Sequence, residues 1–93
     1  MATKVIIPHT GEKETTGTIG IWFKHEGERV NPGEPLCTIE TDKASLEIHA
    51  PCEGILRRIF SPRDSQVSVG ECVAIIGDEN EDIASLEEEI LRK

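Results

Sequence analysis

The chain is poor in aromatics: two Phe, one Trp and no Tyr among 93 residues. Aliphatic side chains must therefore fill its interior, and the prevalence of Val and Ile among them favours strands over helices. Cysteine is scarce and odd in number, with Cys37, Cys52 and Cys72 and no Cys-x-x-Cys pair, which argues against a disulfide framework or a zinc ribbon. Free thiols in a reducing compartment are the plain reading. No run approaches the ~18–20 apolar residues of a membrane-spanning helix. The N-terminus, Met-Ala-Thr-Lys, has neither an apolar signal region nor an Arg-rich transit character. Positive charge is also in short supply, at 10 Lys and Arg against 18 Asp and Glu. A net charge of −8 does not suit a phosphate backbone, so no nucleic-acid partner is expected and no membrane partner either.

The acidic excess is uneven. Residues 1–77 hold 8 Lys and Arg against 11 Asp and Glu, whereas residues 78–93 hold 2 against 7. A domain is thus expected over 1–77, followed over 78–93 by an acidic linker able to form a short helix. Ser85-Leu-Glu-Glu88 fits a capping box, and Ile83, Leu86 and Ile90 are spaced for one helical face. A helix this short is weak on its own, since isolated helices under ~12–15 residues are marginal in water.

Within 1–77 the most informative feature is an internal repeat. Laid over one another at an offset of 37, Gly17–Glu40 and Gly54–Gly77 align Gly17 with Gly54, Phe23 with Phe60, Val30 with Val67 and Gly33-Glu34 with Gly70-Glu71. Apolar residues match at Ile19 and Leu56, Trp22 and Ile59, Leu36 and Val73, and Ile39 and Ile76. Upstream, Pro8-His-Thr-Gly11 resembles Pro51-Cys-Glu-Gly54 at an offset of 43, each after a β-like run. The first copy therefore carries about six extra residues, and the polar stretch Glu12-Lys13-Glu14-Thr15-Thr16 reads as an exposed loop. In Ser45–Ala50, Leu46, Ile48 and Ala50 alternate with Ser45, Glu47 and His49, which is the strand period. Two copies of a short all-β unit predict a flattened antiparallel β-barrel or sandwich of two four-stranded sheets with pseudo-twofold symmetry.

Between the two β-like runs of the middle lies Thr41-Asp42-Lys43-Ala44. Asp favours turns because its carboxylate bonds nearby backbone N–H groups, so Lys43 is expected at a hairpin tip. Adding 37 to Lys43 reaches Asn80, just past the last expected strand. The hairpin and the C-terminal exit are therefore symmetry mates, at opposite ends of the domain.

Glu40-Thr41-Asp42-Lys43-Ala44 resembles the lipoylation motif of lipoyl domains in the acyltransferase components of 2-oxo-acid dehydrogenase complexes. Ile21-Trp22-Phe23-Lys24, Gly27-Glu28-Arg29-Val30 and Gly33-Glu34-Pro35-Leu36 resemble the first half of that family. Ala50-Pro51, Gly54-Ile55-Leu56, Val67, Val69-Gly70 and Ile75 resemble its second half. The likeness runs from about Lys4 to Gly77. It implies lipoic acid amide-linked to Lys43, with Asp42 and Ala44 fixing the turn. It also implies partner recognition by the loop Glu12, Lys13, Glu14, Thr15 and Thr16, together with Glu40 and Thr41. The implied partners are a lipoate ligase or lipoyl transferase, a thiamine-dependent 2-oxo-acid decarboxylase, the acyltransferase core and a flavin-dependent dihydrolipoyl dehydrogenase. The carrier itself catalyses nothing, although a longer parent chain would be an acyltransferase. Asp-Lys-Ala leans toward pyruvate. The isolated domain is expected to be monomeric and cytoplasmic, or in the mitochondrial matrix if cut from an imported precursor.

Other readings stand beside this one. Biotinyl domains flank their lysine with methionines, unlike Asp42 and Ala44 here, but a biotin carrier of a carboxylase remains an alternative. So does an unmodified interaction module in which Lys43 is a solvated turn lysine. Trp22, Cys37 and Cys72 read as packing residues. His49 and Cys52 are two potential ligands where a metal site needs three or four.

Overall fold

The computed structural model describes residues 1–8, 16–42 and 44–92. Eight strands run in order: β1 (Thr3–Ile6), β2 (Thr16–Trp22), β3 (Arg29–Val30), β4 (Pro35–Glu40), β5 (Ser45–His49), β6 (Gly54–Ile59), β7 (Gln66–Ser68) and β8 (Cys72–Gly77). One helix, α1 (Ala84–Leu91), follows them. All pairings are antiparallel and form two four-stranded sheets. The terminal sheet has the order β1-β8-β6-β3, and the hairpin sheet has the order β5-β4-β2-β7. The expected all-β architecture is the one observed.

The repeat explains the topology strand by strand. An offset of 37 carries β4 onto β8, β2 onto β6 and β3 onto β7, and an offset of 43 carries β1 onto β5. Applied to the terminal sheet, these shifts generate the strand order of the hairpin sheet. Each copy lends its short strand to the other sheet: β3 pairs with β6, and β7 pairs with β2. Bulges fall at equivalent places, after Ile19 in β2 and after Leu56 in β6.

The shared residues have shared physical causes. A Cβ on Gly17 would stand 2.8 Å from Ile39, and one on Gly54 would stand 2.8 Å from Ile76, its repeat mate. Both crossings admit only hydrogen, because Cβ atoms are not found that close to a packed side chain. Gly33 and Gly70 have φ of +84° and +87°, a region that favours glycine. The glutamate after each takes a backbone N–H three residues back, from Asn31 at 2.7 Å and from Ser68 at 3.0 Å.

Between the sheets lies one aliphatic core, which includes Ile19, Val30, Leu36, Ile39, Leu56, Val67, Val73 and Ile76, each at most 2% exposed. Cys37 lies in this core, and burial pushes its thiol up to about 12. Trp22 packs against the core and donates its indole N–H to the Ser61 carbonyl at 2.8 Å.

Two further buried residues, Ile75 and Ile83, stand outside that cluster. Ile75 is the repeat mate of Thr38, whose hydroxyl sits on the outer face of the hairpin sheet. It pairs with Lys4 on one side and with Arg58 on the other. Lys4 reaches Glu89 at 3.6 Å and Arg58 reaches Glu87 at 2.6 Å, so the two basic ends of this row tie α1 to the outer face of the terminal sheet. The approach to the helix is pinned as well. Arg57 donates to the carbonyls of Asp78 and Glu81, at 2.5 and 2.7 Å, and the Glu81 carboxylate accepts the N–H groups of Ala2 and Asp78. Ile83, Leu86 and Ile90 lie on the less exposed side of the segment, as their spacing predicts. Ser85 is not the cap: the helix begins one residue earlier, and the Asp82 carboxylate takes the Ala84 N–H at 3.0 Å. No helix among the described residues is long and apolar enough to cross a membrane.

Candidate functional site

The hairpin formed by β4 and β5 is built upward from the core. Ile39 and Ile48 are buried, and Leu46 packs half-buried against the same cluster. Alternation then sends Thr38, Glu40, Ser45, Glu47 and His49 outward. The register is set by Thr38 opposite Glu47, Ile39 opposite Leu46 and Glu40 opposite Ser45. A one-residue slip would put Glu47 into the core in place of Ile48, so apolar burial fixes which residues form the turn.

That turn is Thr41–Ala44. The Thr41 N–H donates to the Ala44 carbonyl at 2.9 Å. The Thr41 hydroxyl donates to the same carbonyl at 3.0 Å and accepts the Ala44 N–H at 3.1 Å. Asp42 and Ala44 are exposed, and Thr41 is half-buried. Lys43, the expected attachment residue, lies outside the described residues, as do Glu12, Lys13, Glu14 and Thr15 of the expected recognition loop.

Other expected site residues gather around the turn. Thr18 pairs with Glu40, so Thr16, two residues earlier on β2, is level with the turn on the neighbouring strand. Thr16 is exposed and pairs with Ser68. The Glu40 carboxylate leans over Gly20, where a Cβ would stand 3.0 Å from it and 2.2 Å from the Thr38 hydroxyl. Thr38 in turn accepts the Ile21 N–H at 2.9 Å. Sequence reasoning did not single out Gly20 or Thr38. Their signal was available, since Gly20 is the only interior β2 position besides Gly17 without a side chain. Glu47 reaches His49 at 3.3 Å, and both are half-exposed. The face beside the turn is thus polar and acidic, with Glu40, Asp42 and Glu47 outward.

None of the three cysteines is disulfide-bonded. Burial raises the Cys72 thiol, which donates to the Ala74 carbonyl at 3.3 Å. Among the described residues no group of three or more His, Cys, Asp or Glu could hold a metal ion.

Two pseudo-symmetric sheets, with an exposed tight turn at the end of one, define a small β-domain that presents a hairpin. A family model described as "Biotin-requiring enzyme", the biotin/lipoyl family, matches residues 3–76, and the chain belongs to that family. It is 39% identical over 93 residues to the dihydrolipoyllysine-residue acetyltransferase component of the pyruvate dehydrogenase complex of Rickettsia bellii (strain RML369-C), covering 99% of this chain and 22% of that one. It is 42% identical over 85 residues to the dihydrolipoyllysine-residue succinyltransferase component of the 2-oxoglutarate dehydrogenase complex of Rickettsia felis (strain ATCC VR-1525 / URRWXCal2), covering 91% and 20%. The chain therefore spans about a fifth of the length of these relatives. The solution structure of the lipoyl domain of the 2-oxoglutarate dehydrogenase complex from Azotobacter vinelandii superposes with a TM-score of 0.63 at 29% identity, over 80% of this chain and 96% of that one. Urea carboxylase of Kluyveromyces lactis shares the fold, with a TM-score of 0.70 at 23% identity over 83% of this chain and 6% of that one.

Proposed function

We propose that this chain is the lipoyl carrier domain of the acyltransferase component of a 2-oxo-acid dehydrogenase complex, with lipoic acid amide-linked to Lys43. The observation that carries the reading is the hairpin turn. The two neighbours of Lys43 in sequence, Asp42 and Ala44, are exposed, while the strands beneath them are anchored by Ile39 and Ile48. An amide on a lysine amine needs an accessible amine on a fixed support, and the anchored strands on either side of the turn supply the support.

Bound lipoate would supply a dithiolane that takes up acyl groups and electrons. The residues of the chain do the rest. Ile39, Leu46 and Ile48 hold the hairpin in register. Asp42 and Ala44 keep the tip small and wet. Glu12, Lys13, Glu14, Thr15, Thr16 and Glu40 offer a polar surface to the decarboxylase and the modifying enzyme. Tethering in a longer parent chain raises the local concentration of the arm at each active site to the order of mM. In that parent the partners are a lipoate ligase or lipoyl transferase, a thiamine-dependent 2-oxo-acid decarboxylase, the acyltransferase core and a flavin-dependent dihydrolipoyl dehydrogenase. Catalysis belongs to those partners and to the rest of the parent.

The identity of the attached group is tested by intact mass after co-expression with lipoate ligase and lipoate, and separately with biotin ligase and biotin. The expected result is one lipoyl increment and no biotin increment. A biotin increment alone would make this a carboxylase carrier. No increment with either would leave an unmodified interaction module.

A further inference from the structure

Resting on the carrier reading above, we propose that Thr41 is a positioning residue for attachment: its hydroxyl clips the turn shut and thereby sets how the tip is presented to the modifying ligase. The resemblance suggested instead that Thr41 faces a partner. The geometry turns its hydroxyl inward, onto both polar groups of Ala44.

The two copies of the repeat close this turn differently. The mates of Thr41 and Ala44 at an offset of 37 are Asp78 and Glu81. There the Glu81 N–H donates to the Asp78 carbonyl at 3.1 Å, and it is the Glu81 side chain, not that of Asp78 at the Thr41 position, that adds a second bond, accepting the Asp78 N–H at 3.0 Å. At the hairpin the main-chain bond runs the other way, from the Thr41 N–H to the Ala44 carbonyl, while the Ala44 N–H goes to the Thr41 hydroxyl oxygen, which also donates to that carbonyl. A hydroxyl is the smallest side-chain group that both donates and accepts. Val has the same branched shape and can do neither.

Burial does not do this job. The apolar anchors stop at Ile39 and Leu46, and the residues beyond them, Asp42 and Ala44, are exposed. Local hydrogen bonds must therefore hold the tip against fraying, each worth roughly a factor of two to ten in the closed-to-open equilibrium. If the ligase binds only the closed turn, an open population raises the apparent dissociation constant in proportion and leaves the chemical step unchanged.

The experiment compares wild type, Thr41→Val and Thr41→Ser by two readouts. Amide hydrogen exchange at Ala44 in the unmodified domain reports the clip alone. Steady-state lipoylation by lipoate ligase reports its consequence. For Thr41→Val the expected results are exchange at Ala44 faster by about tenfold and a ligase KM higher by about fivefold, with kcat unchanged. Thr41→Ser should return both to near wild type. Unchanged exchange in Thr41→Val would show that there is no clip, and faster exchange with an unchanged KM would show that the clip does not position the tip. Either result overturns the proposal. A wild type that accepts no lipoate overturns the carrier reading and the proposal with it, and the exchange data still separate that failure from the absence of a clip.

Discussion

The two sheets share one fold and differ on their outer faces. On the terminal sheet the central row is Lys4, Ile75 and Arg58. Its repeat mates on the hairpin sheet are Glu47, Thr38 and Ile21. A basic, apolar, basic row has become acidic, polar and apolar. The tail, with 7 acidic residues against 2 basic ones, lies on the first face. Charge accounts for the choice of face, because Glu40 and Glu47 would repel the tail from the other. Charge does not account for the strength. Each partly exposed ion pair contributes about 0–1 kcal/mol, whereas burying an Ile contributes roughly 1.5–3 kcal/mol. The burial of Ile75 and Ile83, both outside the main core, therefore outweighs those ion pairs. The pseudo-symmetric frame thus has one covered face and one open face, and the open face carries the hairpin.

Removing the tail from the terminal sheet has the largest expected effect. A chain ending at Gly77 would expose Ile75 and lose Ile83, so urea denaturation should show a loss of about 3–5 kcal/mol. In a domain this small that is a fall in Tm of at least about 10 °C. Modification of the fraction that stays folded should be unchanged, since the hairpin sheet is untouched.

Exchanging repeat mates probes the two outer faces separately. Ile75→Thr puts a hydroxyl under the helix and should cost about 2 kcal/mol. Thr38→Val on the open face removes only the hydrogen bond from the Ile21 N–H and should cost about 1 kcal/mol or less. Equal costs from chemical denaturation would mean that the helix does not cover Ile75.

The smallest effect is set by pH. The Asp78 N–H, and then the Ala2 N–H, hold the Glu81 carboxyl below its ordinary value of 4.5. As pH falls, the unfolded chain takes up this proton first. The contribution of Glu81 is therefore complete above about 4.5 and is lost as pH drops through the folded value. Glu81→Gln should remove that dependence: the variant should be less stable than wild type at neutral pH, and the two profiles should converge as pH falls below 4.5.

Much of this organisation was legible in the sequence. Gly17 with Gly54, and Gly33-Glu34 with Gly70-Glu71, marked the crossings and turns that generate two equivalent sheets, because backbone geometry allows little else at those points. The docking of the tail was not legible. Its own apolar spacing showed, but the strand it covers reads Cys72-Val73-Ala74-Ile75-Ile76, apolar at every position. Nothing in such a run says which residue faces outward. Aligning Ile75 with Thr38 could have shown it. At the hairpin, sequence located the turn but gave no hint that Thr41 closes it with a side chain, since Ala44 is not a partner that residue type suggests.

The proposed attachment point is Lys43, between the two strands of the open-face hairpin. Its most direct test is the intact mass of wild type, Lys43→Ala and Lys24→Ala after complete reaction with lipoate ligase. One lipoyl increment is expected on wild type and on Lys24→Ala, and none on Lys43→Ala. An increment that persists in Lys43→Ala would place attachment elsewhere and contradict this assignment.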